Sequence, residues 1–377
     1  MDESFSPEDF PAVSKEEWKE KIERDLKSKS WADLKWHLGE EIEIDPFYHP
    51  DDFSQLPEPL VEGGVDPGWA CGELFSVSDP GRANKQLTRA LEGGVEAPLL
   101  IFREIPDWQI LFEGIHLNMV SLHIEWKGDG SRLPLLAREL ADFLVERGYG
   151  REQIAGSLGH AFKAETMEQQ CEWKSEAVEL LHPRFPAMQA IDLDMREQHP
   201  YKGGAVEELA SFLSMANAVF QSVDLPERAV LDSVFVKVAV GKEYFVEIAK
   251  LRAMRVLWCN LLQAFQCPVE TELPLEVHLA RTSMTDNPHQ NMIQAGTQAM
   301  SAVIGGADRL YIPPADAEKD SPFHRRIARN VQHLLRLEGH VDKVADPAAG
   351  SFLVEKLTDR LAEAAWQRFL ETENVRG

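Results

Sequence analysis

The sequence predicts an α/β fold in which eight parallel strands, each followed by a helix, close into a (β/α)8 barrel. The main observation is that short apolar runs of strand length alternate with amphipathic helical stretches, which implies parallel strands joined by right-handed crossovers. The second observation is the length of 377 residues, which fits one barrel of about 250 residues or more preceded by an N-terminal extension.

Eight runs have the length and composition of strands, and amphipathic stretches such as Leu135–Arg147 and Ala205–Val223 lie between them. The strand candidates are Pro98–Phe102, Asn118–Ile124, Gln153–Leu158, Ala187–Asp192, Val234–Val240, Leu275–Leu279, Arg309–Ile312 and Lys343–Ala345. We therefore expect residues 91–377 to form a TIM barrel and residues 1–90 to form an arm and linker.

The N-terminal arm is predicted to contain a helix and extended chain. Ser14 and Glu17 have the spacing of a capping box, and apolar residues follow at four-residue steps through Trp18–Leu26. The alternating residues Glu41–Ile44 predict a short strand, and a Pro-rich linker leads from there to Gly68. We expect this arm to lie against the barrel or against a partner.

Composition excludes several classes of function. The formal charge of −24, from 63 acidic and 39 basic residues, argues against nucleic acid or an anionic membrane as a partner. No apolar run approaches the roughly 20 residues that span a bilayer, and the acidic N-terminus is not a signal peptide. We therefore expect a cytoplasmic protein. The four cysteines lack C-x-x-C spacing, so we expect no metal site.

Four blocks of the sequence carry a family resemblance, each with the expected helix or strand periodicity. They are FPAVSKEEWKEKIERDLK (Phe10–Lys27), YFVEIAKLRAMRVLW (Tyr244–Trp258), NMIQAGTQAMSAVIGGA (Asn291–Ala307) and the stretch Phe323–Trp366, which includes FHRRIARNVQHLL and KVADPAAGSFLVEKLTDRLAEAAW. In this order the blocks resemble the cobalamin-dependent acyl-CoA mutases, the methylmalonyl-CoA mutase group. The resemblance implies adenosylcobalamin as cofactor and interconversion of methylmalonyl-CoA and succinyl-CoA.

The chain departs from the catalytic members of this family where their chemistry is expected. Trp69 is followed by Ala70–Phe75 (ACGELF), whereas the catalytic members carry Thr-x-Arg-Gln-Tyr, whose tyrosine lies over the substrate. The family's Asp-x-His-x-x-Gly motif, whose histidine ligates cobalt, does not occur, and the chain ends at Gly377 after the last predicted helix. We therefore expect no catalytic site and no C-terminal cobalamin-binding domain.

Three residues match substrate-binding positions of the family. Arg281-Thr282-Ser283 is similar to the family's Arg-Thr-Ser, in which the Arg and Ser hold phosphates of coenzyme A. A guanidinium group suits this role because it can bind one phosphate through two parallel hydrogen bonds. Gln332 matches a substrate-facing glutamine, and it is explained equally well as a polar residue at the edge of the core. We expect Arg281, Ser283 and Gln332 to form a vestigial CoA or substrate pocket.

The favoured hypothesis is a small, non-catalytic subunit of a heterodimeric methylmalonyl-CoA mutase, whose large partner subunit holds adenosylcobalamin and binds the acyl-CoA substrate. The alternative is a competent mutase barrel for a different acyl-CoA, using Tyr201 and His199 with a separate cobalamin-binding polypeptide. A third hypothesis is an unrelated barrel lyase that uses Asp192, Asp194 and His278. His199, beside a Pro-Tyr turn, is expected to be a packing residue.

Overall fold

The computed structural model describes residues 13–27, 29–39, 42–53, 68–160, 166–197, 199, 204–316 and 321–376. Two short strands, β1 (Trp36–Leu38) and β2 (Ile42–Ile44), form an antiparallel hairpin in the arm. The strands of the second, parallel sheet are β3 (Ala70–Ser76), β4 (Ala97–Phe102), β5 (Ser121–Trp126), β6 (Ala155–His160), β7 (Met188–Gln189), β8 (Ile191–Asp194), β9 (Val234–Val240), β10 (Leu275–Leu279) and β11 (Arg309–Tyr311).

This parallel sheet closes into a barrel. β7 and β8 are two parts of one strand that is interrupted at Ala190, since β7 pairs with β6 and β8 pairs with β9. On the opposite side of the ring β11 pairs with β3, with Leu310 opposite Cys71. The described residues therefore form the eight-stranded α/β barrel that the sequence predicts.

Helices surround the barrel and bury their apolar faces against it. The described helices are α1 (Lys15–Leu26), α2 (Pro80–Glu92), α3 (Trp108–Leu111), α4 (Leu133–Glu146), α5 (Met167–Leu181), α6 (Gly204–Ser222), α7 (Glu227–Ser233), α8 (Tyr244–Ala264), α9 (Pro288–Ile304), α10 (Pro322–Leu337) and α11 (Phe352–Arg376). Asp79, Asn287 and Ser321 cap α2, α9 and α10, each directly before a proline at the first helical position. In the described part of the chain, no helix combines the length and apolarity needed to cross a bilayer.

The predicted strand Lys343–Ala345 is wrong, and the barrel uses β3 in its place. Residues 341–351 form turns between α10 and α11, with Val344 60% exposed. β11 already pairs with β3, so the ring has no open edge at which another strand could pair. The sheet thus starts at Ala70, and we propose placing the division between arm and barrel near residue 68.

β3 escaped prediction because two of its residues are unusual in a strand. A Cβ on Gly72 would lie 2.5 Å from the carbonyl oxygen of Leu310 and 2.5 Å from Tyr311 Cε1, so only glycine fits inside the barrel at this point. Glu73 points outward, where Arg325 Nη1 lies 3.1 Å from Oε1 and Arg329 Nη1 lies 2.6 Å from Oε2. Tertiary contacts therefore explain both departures from strand composition.

The arm begins as predicted and packs on the last helix. The amide of Glu17 donates to Ser14 Oγ at 3.3 Å and the Ser14 amide donates to Glu17 Oε2 at 2.9 Å, which completes the capping box of α1. Ile42 and Ile44 of β2 are buried, and β2 contacts α11. The ring of Phe53 lies 5.2 Å from that of Phe352 at the start of α11.

We expect Glu73→Gln to lower the free energy of unfolding by about 1.5–3 kcal/mol, because it weakens charge-assisted bonds to two arginines at a largely buried site. Urea titration measures this change, and Glu92→Gln on the exposed side of α2 serves as the control. An equal response of both variants would contradict a stabilising role for the Glu73 pairs.

Candidate functional site

A cavity of about 680 Å³, the mouth cavity, opens at the carboxyl ends of the barrel strands, where barrel enzymes place their active sites. Its wall includes Leu74 from β3, Glu125 from β5, His278 from β10 and Tyr311 from β11. Leu74 lies in the block where the family's tyrosine is expected. An aliphatic side chain, without a phenol hydroxyl, therefore lines the cavity there.

Charged side chains at the mouth cavity are bound to one another. Arg196 donates to Asp194 with distances of 2.8 Å from Nε to Oδ1 and 2.6 Å from Nη2 to Oδ2, and its Nη1 lies 2.7 Å from Glu125 Oε2. Lys127 Nζ lies 3.1 Å from Glu125 Oε1. Burial by itself would raise the pKa of Glu125, but the charges of Lys237, Arg196 and Lys127 lower this pKa to about 2. Glu125 is thus an anion at neutral pH and not a general acid.

A second group of ion pairs fills the barrel near β8 and β9. Lys237 Nζ lies 2.9 Å from Asp192 Oδ2, and Lys174 Nζ reaches Asp192 Oδ1 at 3.0 Å from the outer helix α5. Burial alone would raise the pKa of Asp192, but the two lysines lower it instead. A Cβ on Gly159 would lie 2.1 Å from Lys237 Nζ, so the ammonium group occupies the space that glycine leaves. Asp192 and Asp194 therefore belong to different cation clusters and do not form a free carboxylate pair.

A third group joins β10 to β11. His278 Nε2 lies 2.8 Å from Glu276 Oε1, and Arg309 Nε donates to Glu276 Oε2 at 3.1 Å. The His278 ring stacks on Tyr311 with ring centroids 4.9 Å apart. Burial lowers the pKa of His278 and raises the pKa of Tyr311 well above its ordinary value. Both rings are consequently neutral at pH 7 and are fixed by their contacts.

His199 lines the mouth cavity as part of a buried polar cluster. Its Nδ1 lies 3.2 Å from Glu208 Oε2 and its Nε2 lies 3.5 Å from Glu247 Oε1. Lys250 Nζ bridges the same two carboxylates at 2.9 Å and 2.7 Å. These contacts explain His199 as a packing residue that links α6 to α8, while Tyr201, its partner in the alternative hypothesis, lies outside the described residues.

The three predicted substrate-pocket residues lie in different surroundings. Arg281 is exposed and lines the mouth cavity, whereas Ser283 is buried at the end of the same short 3-10 turn. Gln332 lies on α10, where its Nε2 donates to the Gly72 carbonyl at 3.0 Å and its Oε1 accepts from Trp69 Nε1 at 3.3 Å. Gln332 does not line the mouth cavity, and these contacts place it at the edge of the core.

Arg103 and Arg281 differ from the other cations of the mouth cavity. Both residues line the cavity and are exposed, and among the described residues neither guanidinium lies within 4.0 Å of an acidic oxygen.

Sequence analysis missed most of the residues that fill the barrel interior, although a signal was present. Residues two apart on a strand point to one face, so paired polar residues in an apolar strand indicate a polar interior. These pairs are His123 and Glu125 on β5, Glu276 and His278 on β10, and Arg309 and Tyr311 on β11.

The described residues do not fit a cobalt ligand set. Three histidines line the mouth cavity, and His199 and His278 contact carboxylates while His160 Nε2 lies 3.1 Å from the Gly128 carbonyl oxygen. Within the described ranges, no group of three or more His, Cys, Asp or Glu side chains is placed to hold a metal ion. Each of the three histidines at the mouth cavity therefore has a ring nitrogen in contact with a protein oxygen.

We expect Glu125→Gln to remove part of the acid sensitivity of folding. A carboxyl whose pKa falls from 4.5 to about 2 on folding stabilises the protein above its unfolded pKa, and this stability is lost as the pH falls towards 2. This stabilisation is on the order of 3 kcal/mol at neutral pH, where it is fully present. Urea unfolding between pH 7 and 3 should show a less stable variant with a flatter pH profile, while Glu113→Gln, an exposed control, keeps the wild-type profile.

Comparison with known proteins agrees with this architecture. The family model described as methylmalonyl-CoA mutase matches residues 91–377. The chain is 30% identical to the methylmalonyl-CoA mutase small subunit of Streptomyces virginiae over 335 residues, covering 84% of this chain and 54% of that protein. The small subunit of Porphyromonas gingivalis is 27% identical, with coverage of 98% and 64%.

The methylmalonyl-CoA mutase of Rhizobium meliloti is 28% identical over 424 residues, which cover 96% of this chain and 58% of that protein. The chain thus spans between half and two thirds of the length of these curated relatives. Because the family model matches most of the chain, this protein belongs to the methylmalonyl-CoA mutase family.

Proposed function

We propose that this chain is the barrel of the small, non-catalytic subunit of a heterodimeric methylmalonyl-CoA mutase. The complex interconverts methylmalonyl-CoA and succinyl-CoA, and the large subunit holds adenosylcobalamin and carries the catalytic site. The observation that carries the proposal is the pairing of charged side chains at the mouth cavity. The carboxylates and histidines there that could act as acids or bases contact other charged side chains of the chain. Two relatives named as small subunits support the same assignment.

The geometry favours this proposal over the two other hypotheses. A free general base needs an available lone pair, but His199 lies between two carboxylates and His278 lies against Glu276. A lyase based on Asp192 and Asp194 needs an unpaired carboxylate, and both are neutralised by cations. The acidic chain, with its charge of −24, supports a cytoplasmic protein without a nucleic-acid partner.

The test is reconstitution of the mutase from separate subunits. We expect adenosylcobalamin binding and turnover of methylmalonyl-CoA when this chain is mixed with the large mutase subunit of the same organism, and neither activity from this chain alone. Calorimetry with adenosylcobalamin and a coupled assay for succinyl-CoA measure the two properties. Turnover by this chain together with an isolated cobalamin-binding polypeptide, without a large subunit, would establish the alternative of a competent barrel.

We expect Arg281→Ala to leave turnover of the assembled complex within about tenfold of wild type, because the groups around Arg281 carry no catalytic role. Sedimentation of the variant with the large subunit shows whether assembly is intact. A loss of more than about tenfold, or about 1.4 kcal/mol in the barrier, with intact assembly would show that this mouth cavity takes part in turnover.

A further inference from the structure

Helix α10 packs on the barrel through polar side chains as well as through the buried apolar residues Ala328 and Leu335. Arg325 and Arg329 donate to Glu73, Gln332 donates to the Gly72 carbonyl, and Arg336 donates to Glu96 at 3.0 Å. At about 100° per residue these four positions fall on one side of the helix. Ion pairs and hydrogen bonds to β3 and to Glu96, directly before β4, thus hold α10 in place.

The opposite side of α10 presents apolar residues to solvent. Phe323 is 50% exposed, Leu334 is 57% exposed and Leu337 is 66% exposed. Together with the half-buried Ile327 and the exposed Asn330, they follow steps of four, three, four and three residues, which is a continuous stripe along the helix. Isolated exposed apolar residues are ordinary on protein surfaces, whereas three on one side of a single helix, interrupted only by Asn330, form a candidate contact surface.

The neighbouring helix α9 extends this apolar surface. Ile293 is 74% exposed and Met300 is 37% exposed, and with Thr297 they lie on one side of α9. The 17 residues of α9 include no Asp, Glu, Lys or Arg, although 27% of the chain is charged. Because α9 and α10 follow the adjacent parallel strands β10 and β11, they lie side by side and run in the same direction.

We infer that the outer face of α9 and α10 is the surface on which the large mutase subunit docks, an inference that rests on the proposed function. The chain carries a charge of −24, so two copies repel each other and a second copy of this chain is the less favourable occupant. The α9–α10 face instead suits a helical surface that is apolar and uncharged at its centre.

The ends of the α10 stripe specify the chemistry of the partner further. The guanidinium of Arg326 lies 5.8 Å from the ring centre of Phe323, and the exposed Glu338 follows Leu337 directly. A cation at one end and an anion at the other favour a partner that places an acidic side chain near Phe323 and a basic one near Leu337. This polarity fixes the direction in which a partner helix lies along α10.

The experiment measures binding of the large subunit of the same organism by sedimentation and calorimetry. The double variant Leu334→Asp, Leu337→Asp places two charges in the C-terminal half of the stripe, at its two most exposed apolar positions, and we expect affinity to fall about hundredfold. Leu135→Asp, Val145→Asp on α4 is the matched control, since both residues are exposed apolar positions on a barrel helix, and its affinity should stay within about threefold of wild type. Thermal unfolding confirms that both variants fold.

The outcomes separate the inference from the proposed function. If wild type does not bind the large subunit at all, the proposed function fails and this inference fails with it. If wild type and the α10 variant bind equally well, the docking surface lies elsewhere while the proposed function stands. A self-association of wild type that the α10 variant abolishes, with large-subunit binding unchanged, would show that a second copy occupies this face and would overturn the inference.

Discussion

Pairing of buried charges inside the barrel is the constraint on which the rest of this structure depends. Lys237, Asp192, Glu276 and Arg309 are at most 7% exposed, and an unpaired charge at such a depth would cost several kcal/mol. Each of them contacts at least one opposite charge on a neighbouring strand. The barrel interior is therefore held by cross-strand ion pairs in addition to the apolar layer between sheet and helices, and a charge at one position requires its partner at another.

The same constraint determines what the mouth cavity offers to a ligand. Side chains that act as acids or bases in other barrels are already engaged here, with His278 bound to Glu276 and Glu125 bound to Arg196. Such contacts stabilise the folded barrel and fix the positions of these side chains. These contacts support the proposed structural role of the chain in a larger assembly.

Helix α10 shows how this polar interior affects the outer surface. Glu73 on β3 points out of the barrel and needs cations, which Arg325 and Arg329 supply from the inner side of α10. The inner side of the helix therefore combines these cations with the buried Ala328 and Leu335, while Phe323, Leu334 and Leu337 lie on the outer side. The Glu73 ion pairs thus hold α10 in an orientation that exposes Phe323, Leu334 and Leu337. No other described residue of the chain covers these three side chains fully.

The sequence by itself determined the barrel class, seven of its eight strands and the capped start of α1, because these follow from local periodicity and from side chains near in sequence. It also determined the family, through blocks that retain the family pattern. Only the tertiary structure decided that β3 replaces the predicted strand at Lys343–Ala345, that Gln332 packs against Trp69, and that His199 lies between two carboxylates. Each of these depends on contacts between residues far apart in the chain or on the closure of the ring, which no local pattern specifies.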